Sequence, residues 1–252
     1  MAPGSTIDRI APTRRPAGPC FGYQAWLDLL FLHWELPAAR LQALLPPGLT
    51  LDTFEGRAFV GLVPFRMRDV RATWAPALPY FSAFPEVNLR LYVHREGRDP
   101  GVFFLSLDAS KLAAVLWARA SWGLPYFWSH LRHRTLPDGR FEVRGRALRP
   151  GREARLDVRW RHGLALGSAV PGTLEHFLVE RYVLYTVKRG GVLHQGAVHH
   201  APYALHRAQE VELGECSLLA AAGVDGGTPL PLVLASPGVR VEVFPLRALS
   251  PA

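Results

Sequence analysis

Hydrophobic and polar positions alternate along much of the chain with the two-residue period that is typical of β-strands. Residues 24–36 form a run of aromatic and large aliphatic side chains, which predicts a buried strand. Residues 56–73 predict another strand, and Pro64 within it indicates a sheet edge or a bulge because proline has no backbone N–H. The segments 87–96 and 101–109 flank a Gly-Arg-Asp-Pro-Gly turn and predict an antiparallel hairpin.

Short helices separate some of the strands. Asp108 or Ser110 is positioned to cap the N-terminus of a helix over residues 111–121, and Gly123 is positioned to end that helix in a left-handed conformation. Thr173 is predicted to cap a second short helix that starts at the next residue.

Residues 140–150 and 152–163 predict a second hairpin with one exposed face. Many strands, few helices and no repeated strand–helix–strand order predict an α+β fold that is mainly antiparallel β. Its simplest form is one curved sheet or cone-shaped barrel with a few packed short helices. Residues 1–18 are rich in Pro, Gly and Arg and predict a flexible N-terminal tail, and residues 19–252 predict a single domain.

Composition and charge exclude several classes of function. Hydrophobic residues make up 49% of the 252 residues, which suits a globular core, and no apolar run approaches the ~20 residues of a membrane helix. The net charge of +8 comes almost wholly from single, scattered arginines, since Lys111 and Lys188 are the two lysines. We therefore expect no membrane or nucleic-acid partner, and a small anionic ligand instead.

The candidate metal and redox residues give no recognisable site. Cys20 and Cys216 have no metal-binding or redox spacing, which favours a reducing, cytoplasmic location. His194, His199 and His200 lie close in sequence, but the last two point to opposite faces of a strand. With no phosphate loop or dinucleotide-binding motif in the sequence, we expect neither a metal nor a cofactor.

Four segments carry a family resemblance: FLHWELPAARLQALLPPGL, FPEVNLRLYV, GVFFLSLDA with ARASWGLPYF, and PGTLEHFLVERYVLY. Together they resemble the YqjF-like family of uncharacterised proteins from about residue 24 to about residue 246. That family is in turn similar in outline to acetoacetate decarboxylase and its relatives. The resemblance implies an antiparallel β structure curved around a ligand cavity.

The resemblance also shows a departure from decarboxylase chemistry. In the decarboxylase relatives, a helix with an arginine leads through an aromatic–proline turn to two lysines, the first of which forms a Schiff base. Here Arg119 and Pro125 match the arginine and the proline, while Tyr126 and Phe127 stand where the lysines would be. Tyrosine cannot form an imine, so we expect no Schiff-base mechanism at this position.

Other polar groups of such a cavity are present in the sequence. The resemblance places Glu86 opposite the segment with Arg119, and Arg90 shares the strand face of Glu86. A buried glutamate with arginines could bind a carboxylate and transfer a proton, or could equally form a structural ion pair between helix and sheet. The expected catalytic residues are Glu86 and Tyr126, and the expected ligand-binding residues are Arg90, Arg119, His33 and Trp122.

Two hypotheses of function follow. The first is a protein that binds a small organic acid or carbonyl compound and catalyses a proton-transfer, hydration or lyase-type step without a Schiff base. The second is a non-catalytic protein that binds a ligand or assembles into a homo-oligomer. In this hypothesis aromatic side chains fill the cavity. His33 and Tyr126 then need be no more than hydrogen-bonded core residues. An open pocket beside an unpaired, buried Glu86 would favour the first hypothesis.

Overall fold

The computed structural model of the chain describes residues 7–78, 82–149, 152–188, 190–224 and 232–250. Within these residues it contains thirteen strands, four short α-helices and one 3₁₀ turn at Ala11–Thr13. The strands are β1 (Gly22–Leu36), β2 (Thr50–Leu51), β3 (Ala58–Ala72), β4 (Phe84–Arg95), β5 (Arg98–Ala109), β6 (Tyr126–Thr135), β7 (Phe141–Arg149), β8 (Arg152–Gly167), β9 (Val183–Val187), β10 (Leu193–His200), β11 (Leu205–Cys216), β12 (Leu232–Val243) and β13 (Arg247–Ala248). The helices are α1 (Ala38–Gln42), α2 (Leu112–Trp122), α3 (Leu174–Val179) and α4 (Leu218–Ala221).

All the described strands belong to one sheet, in the order β13-β10-β9-β5-β6-β7-β8-β11-β12-β1-β3-β4-β2. Additional pairings of β4 with β5 and of β10 with β12 return the sheet on itself in a ring-like arrangement. Most pairs are antiparallel, which confirms the predicted α+β class with a dominant antiparallel β component.

The sheet is mixed, because β5 runs parallel to both β6 and β9. The unit β5-α2-β6 is a strand–helix–strand crossover that the sequence did not predict, although this order is not repeated among the described strands. Parallel neighbours require a crossover connection, and α2 provides it. This crossover sets the position of the segment that follows Pro125.

Both predicted hairpins are present. The β4–β5 turn lies at Glu96 and Gly97, which have φ angles of 51° and 75°, so Asp99 and Pro100 belong to β5 rather than to the turn. The hairpin of β7 and β8 has the predicted antiparallel pairing, and residues 150–151 lie outside the described residues.

Pro64 lies at a bulge and not at a sheet edge. The strand β3 pairs with β1 on one side and with β4 on the other. Between Leu27 and Leu32, β1 has one residue more than β3 has between their partners, and Asp28 adopts a φ of 50° there. The irregular pairing on this side of β3 accommodates the missing N–H of Pro64.

Helix α2 ends as predicted but begins differently. Gly123 has a φ of 65° and its N–H donates to the carbonyl of Arg119. Neither Asp108 nor Ser110 caps the N-terminus, which starts after Lys111 without a side-chain cap. Thr173 caps α3 as predicted, since its Oγ1 accepts from the His176 N–H at 3.3 Å.

Alternate side chains of β1 divide the core into two layers. Leu30 and Leu32 pack in one buried cluster that includes Trp160. Leu29 and Phe31 pack in the other, together with residues of α2, α3 and the faces of β3 and β4. The second layer surrounds the candidate site described below.

The described part of the N-terminal segment contacts the sheet through ion pairs. Arg9 forms an ion pair with Asp52, whose other oxygen accepts from Nη1 of Arg181 at 2.8 Å. Arg15 pairs with Glu242 at 2.7 Å. Residues 1–6 lie outside the described residues. Along the described chain, no helix combines the length and apolar character needed to cross a membrane.

We predict that Asp52→Ala lowers the free energy of unfolding by about 3–5 kcal/mol, because it leaves the buried Arg181 guanidinium without its carboxylate. Arg9 is partly exposed, so Arg9→Gln serves as the control and should cost about 0–1 kcal/mol. Urea unfolding at pH 7 measures both values. Equal losses in the two variants would contradict this assignment.

Candidate functional site

Three polar side chains of β4 face one cavity. Glu86, Asn88 and Arg90 share a strand face because side chains alternate with a period of two. The cavity has a volume of about 440 Å³ and is also lined by residues of β1, β3, β5, β9 and α2 and by Tyr126 at the start of β6. Glu86 is the one acidic residue among the described residues that line it.

Glu86 is hydrogen-bonded to Tyr126. It is 2% exposed, and the Tyr126 hydroxyl donates to its Oε2 at 2.9 Å. The parallel pairing of Leu107 with Tyr126 and the antiparallel pairing of Glu86 with Ala109 place the two residues on either side of β5. The structure thus brings Glu86 together with Tyr126, the residue that follows Pro125.

Burial favours the protonated, neutral form of the Glu86 carboxyl at pH 7. Burial raises its pKa from the ordinary 4.5 to about 8, and the nearby Asp108 carboxylate adds to the rise, while the hydrogen bond from Tyr126 opposes it. No arginine lies within ion-pair distance of Glu86 among the described residues. The described residues therefore form no structural ion pair between Glu86 and Arg119.

Arg90 is a buried cation that faces the same cavity. It is 7% exposed, and its Nη2 donates to the Leu178 carbonyl at 2.9 Å while Nε has no partner. Its guanidinium lies 5.8 Å and 5.6 Å from the ring centroids of Phe31 and Tyr92. No carboxylate of the described residues is within ion-pair distance, so an anion is the charge partner that this site lacks.

Asn88, Arg181 and Tyr203 also line the cavity and were missed at the level of sequence. The strand parity shared with Glu86 and Arg90 could have indicated Asn88, whose buried Oδ1 has no partner. Arg181 is committed to Asp52 and to the Phe177 carbonyl, at 2.8 Å and 2.7 Å. It therefore stabilises the cavity wall.

The expectation that Arg119 faces the cavity is wrong. Ala118 and Trp122, four residues apart on α2, line the cavity, and Arg119 lies about 100° further around the helix, where it is exposed. Trp122 is in the cavity wall, as expected. His33 is fully buried outside the lining, with Nε2 2.8 Å from the Tyr92 hydroxyl oxygen, and burial lowers its pKa well below 6.5.

Tyr126 and Phe127, which stand where the decarboxylase relatives carry lysines, have different surroundings in this protein. Tyr126 faces the cavity, whereas Phe127 lies against the Arg149 guanidinium at 4.1 Å. Neither Lys111 nor Lys188 lines the cavity. Among the described residues, no three His, Cys, Asp or Glu side chains form a group that could hold a metal ion.

The chain matches the model of the DUF2071 family, described as uncharacterized conserved protein, over residues 23–240. It is 36% identical to the uncharacterized protein YqjF of Bacillus subtilis (strain 168) over 235 residues, which cover 93% of this chain and 95% of YqjF.

Several solved structures share the fold at low sequence identity. The enduracididine biosynthesis enzyme MppR, complexed with pyruvate, superposes with a TM-score of 0.65 at 13% identity and 94% coverage of both chains. Acetoacetate decarboxylase of Legionella pneumophila gives 0.64 at 15% identity, covering 99% of this chain and 97% of its own. An acetoacetate decarboxylase-like enzyme of Sphingomonas wittichii RW1 gives 0.63 at 15% identity, covering 93% and 95%. These likenesses confirm the expected fold.

We predict that Glu86→Gln is more stable than the wild type at high pH. The folded pKa of about 8 lies above the ordinary 4.5, so the folded protein keeps a proton that the unfolded chain releases. Stability of the wild type relative to the variant therefore falls as pH rises from about 4.5 to about 8. Urea unfolding at pH 5–9 should show that the free energy of unfolding of the variant exceeds that of the wild type by a few kcal/mol above pH 8. A difference in this free energy that stays constant over the pH range would contradict the prediction.

We predict that Tyr126→Phe raises the pKa of Glu86 further, because it removes the hydrogen bond that favours the carboxylate. Infrared difference spectra of the protonated carboxyl band, recorded against pH, measure this pKa. Glu86→Gln identifies the band by its loss. A pKa that stays the same or falls in Tyr126→Phe would show that the bond does not control the proton.

Proposed function

We propose, on the premise that this chain belongs to the DUF2071 family and shares its fold with acetoacetate decarboxylase-like enzymes, that its cavity binds a small organic acid with a carbonyl group. In this proposal Glu86 then transfers a proton to or from the bound acid, and Tyr126 holds the Glu86 carboxyl group in place by its hydrogen bond. The observation that carries the proposal is the buried Arg90, which lacks a carboxylate partner among the described residues and faces the same cavity as a neutral Glu86.

Charge balance supports an anionic ligand. Removing a guanidinium from water costs free energy that a partner of opposite charge must offset. Burial favours the neutral form of Glu86 at pH 7 and Arg181 is already paired, so Arg90 leaves the cavity with a positive charge. A ligand carboxylate would accept strong, charge-assisted hydrogen bonds from this guanidinium. The unpartnered Oδ1 of Asn88 could accept a hydrogen bond from a ligand hydroxyl group.

The state of Glu86 supports proton transfer. An acid with a pKa of about 8 gives and takes protons efficiently near neutral pH. Its carboxylate form would remove a proton from the carbon next to the ligand carbonyl, and the protonated form would return one to the enolate. Tyr126 would hold the carboxyl group in place through its hydrogen bond. Hydration and lyase-type steps would use the same transfer of a proton between Glu86 and the bound acid.

The alternative is a non-catalytic binding or assembly protein. It predicts a cavity filled by aromatic side chains and a Glu86 paired with arginine, whereas Trp122 and Tyr126 line a cavity of about 440 Å³ and Glu86 bonds to a tyrosine. These observations favour the acid-binding proposal. The cytoplasmic location and a homo-oligomeric state stay predictions.

Pyruvate is the first probe, because MppR, which shares this fold, is complexed with it. We predict that pyruvate raises the melting temperature of the wild type and that Arg90→Gln weakens its binding about thirtyfold or more, by loss of a buried charge pair. Arg90→Lys should retain part of the affinity. Arg119→Gln is the control, since Arg119 is an exposed arginine outside the cavity, and it should bind like the wild type. Equal binding by all variants would refute Arg90 as the anion site.

Borohydride reduction in the presence of pyruvate separates this proposal from Schiff-base chemistry. Because neither lysine lines the cavity, we predict no covalent adduct in the intact mass of the protein. An adduct on Lys111 or Lys188 would overturn the proposed mechanism.

A further inference from the structure

The cavity changes character from its buried end to its mouth. Glu86 and Arg90 form a polar end that is almost fully shielded from solvent. The exposed lining residues include Arg71 and three large rings, with exposed fractions of 41% for Phe21, 50% for Trp117 and 84% for Trp74. Large apolar side chains grouped at a surface opening are typical of a binding site rather than of random exposure.

Two of these rings, Phe21 and Trp117, form a packed wall with Trp122, and two elements of the fold hold this wall in place. Phe21 stacks on Trp117, with centroids 6.2 Å apart and an interplanar angle of 17°, and meets Trp122 edge to face at 6.4 Å. The backbone of Phe21 is fixed at the start of β1 by its N–H to the Val243 carbonyl at 2.7 Å. Trp117 and Trp122 are carried by α2. Contacts within the protein therefore fix the position of this wall.

Most of the other side chains that line the cavity are apolar. Leu29, Val63, Met67 and Val198 line it, and the full cavity of about 440 Å³ is within the range that encloses drug-sized molecules. A carboxylate and a carbonyl group at Arg90 and Glu86 would use the polar end alone. The remaining surface would lose contact with water only if the ligand continued as an apolar group.

We propose that the ligand is an amphipathic acid, whose carboxylate binds Arg90 and whose apolar, ring-sized substituent lies against Phe21, Trp117 and Trp122. This inference rests on the proposed function and adds the class of substituent. Flat, rigid rings pack on one another with favourable edge-to-face or offset geometry, so an aryl group suits this wall better than a charged or hydroxylated chain.

Binding of a graded series to the wild-type protein tests the substituent. Isothermal titration calorimetry would compare pyruvate, 2-oxobutanoate, 2-oxohexanoate and phenylpyruvate. Each buried methylene should tighten the Kd by about fourfold, so 2-oxohexanoate should bind on the order of sixtyfold more tightly than pyruvate. Phenylpyruvate should bind at least as tightly as 2-oxohexanoate, because its ring adds contacts with the aromatic wall. A series with equal Kd values would overturn the inference while leaving the proposed acid site intact.

Variants of the wall test where the substituent lies. Trp117→Ala and Phe21→Ala should each lose about tenfold in affinity for phenylpyruvate and change the Kd of pyruvate by less than about twofold. Leu116→Ala is the matched control, because Leu116 is an exposed neighbour on α2 outside the lining. Phe21 and Trp117 are partly exposed like Leu116, so the three substitutions are comparable in their surroundings. Equal losses in the control and in Trp117→Ala would overturn the placement.

Two further outcomes separate this inference from its premise. Phenylacetone, which lacks the carboxylate, should bind far more weakly than phenylpyruvate, and equally tight binding would refute the acid site at Arg90 itself. If the wall instead seats a second copy of the chain, Trp117→Ala would change the oligomeric state in sedimentation and leave the selectivity unchanged. That result would overturn the inference.

Discussion

Strand β4 is hydrogen-bonded along both edges, to β3 and to β5, and the rest of the site depends on this pairing. Its backbone groups are satisfied within the sheet, so the strand can be buried on both faces. Val87, Leu89 and Leu91 pack into the core on one face. The opposite face then turns polar side chains towards the cavity. Burial there raises the pKa of Glu86, and no carboxylate of the described residues lies close enough to Arg90 to neutralise its charge. The chemistry of the cavity follows from burial of one strand.

A second layer of polar groups adjusts that chemistry. Asp108 accepts hydrogen bonds from Ser129 at 3.0 Å and from Arg149 at 2.8 Å. Its charge contributes to the raised pKa of Glu86, although burial is the larger cause. Asp108 therefore does not serve as the helix cap that its sequence position suggests. A carboxylate this deeply buried is held by an arginine and hydroxyl groups because solvent cannot stabilise it.

Local pattern and family resemblance predicted the hairpins, the Gly123 terminus of α2 and the fold class. They did not predict which side of helix α2 faces the cavity, nor which strands pair across the α2 crossover. Helix α2 has apolar residues on several sides, with Leu112 and Leu116 exposed, so its sequence did not show that Arg119 faces outward. A single crossover among hairpins gives no repeating signal, and the parallel pairing of β5 with β6 was therefore missed.

The parallel pairing of β5 with β6 has an evolutionary consequence. The position of residue 126 is fixed by backbone contacts, including the hydrogen bond from the Leu107 N–H to the Pro125 carbonyl at 3.0 Å, and none of these contacts uses the Tyr126 side chain. Selection can exchange that side chain without disturbing the sheet. Side chains of different chemistry can then occupy this position at the cavity while the backbone that carries them stays the same.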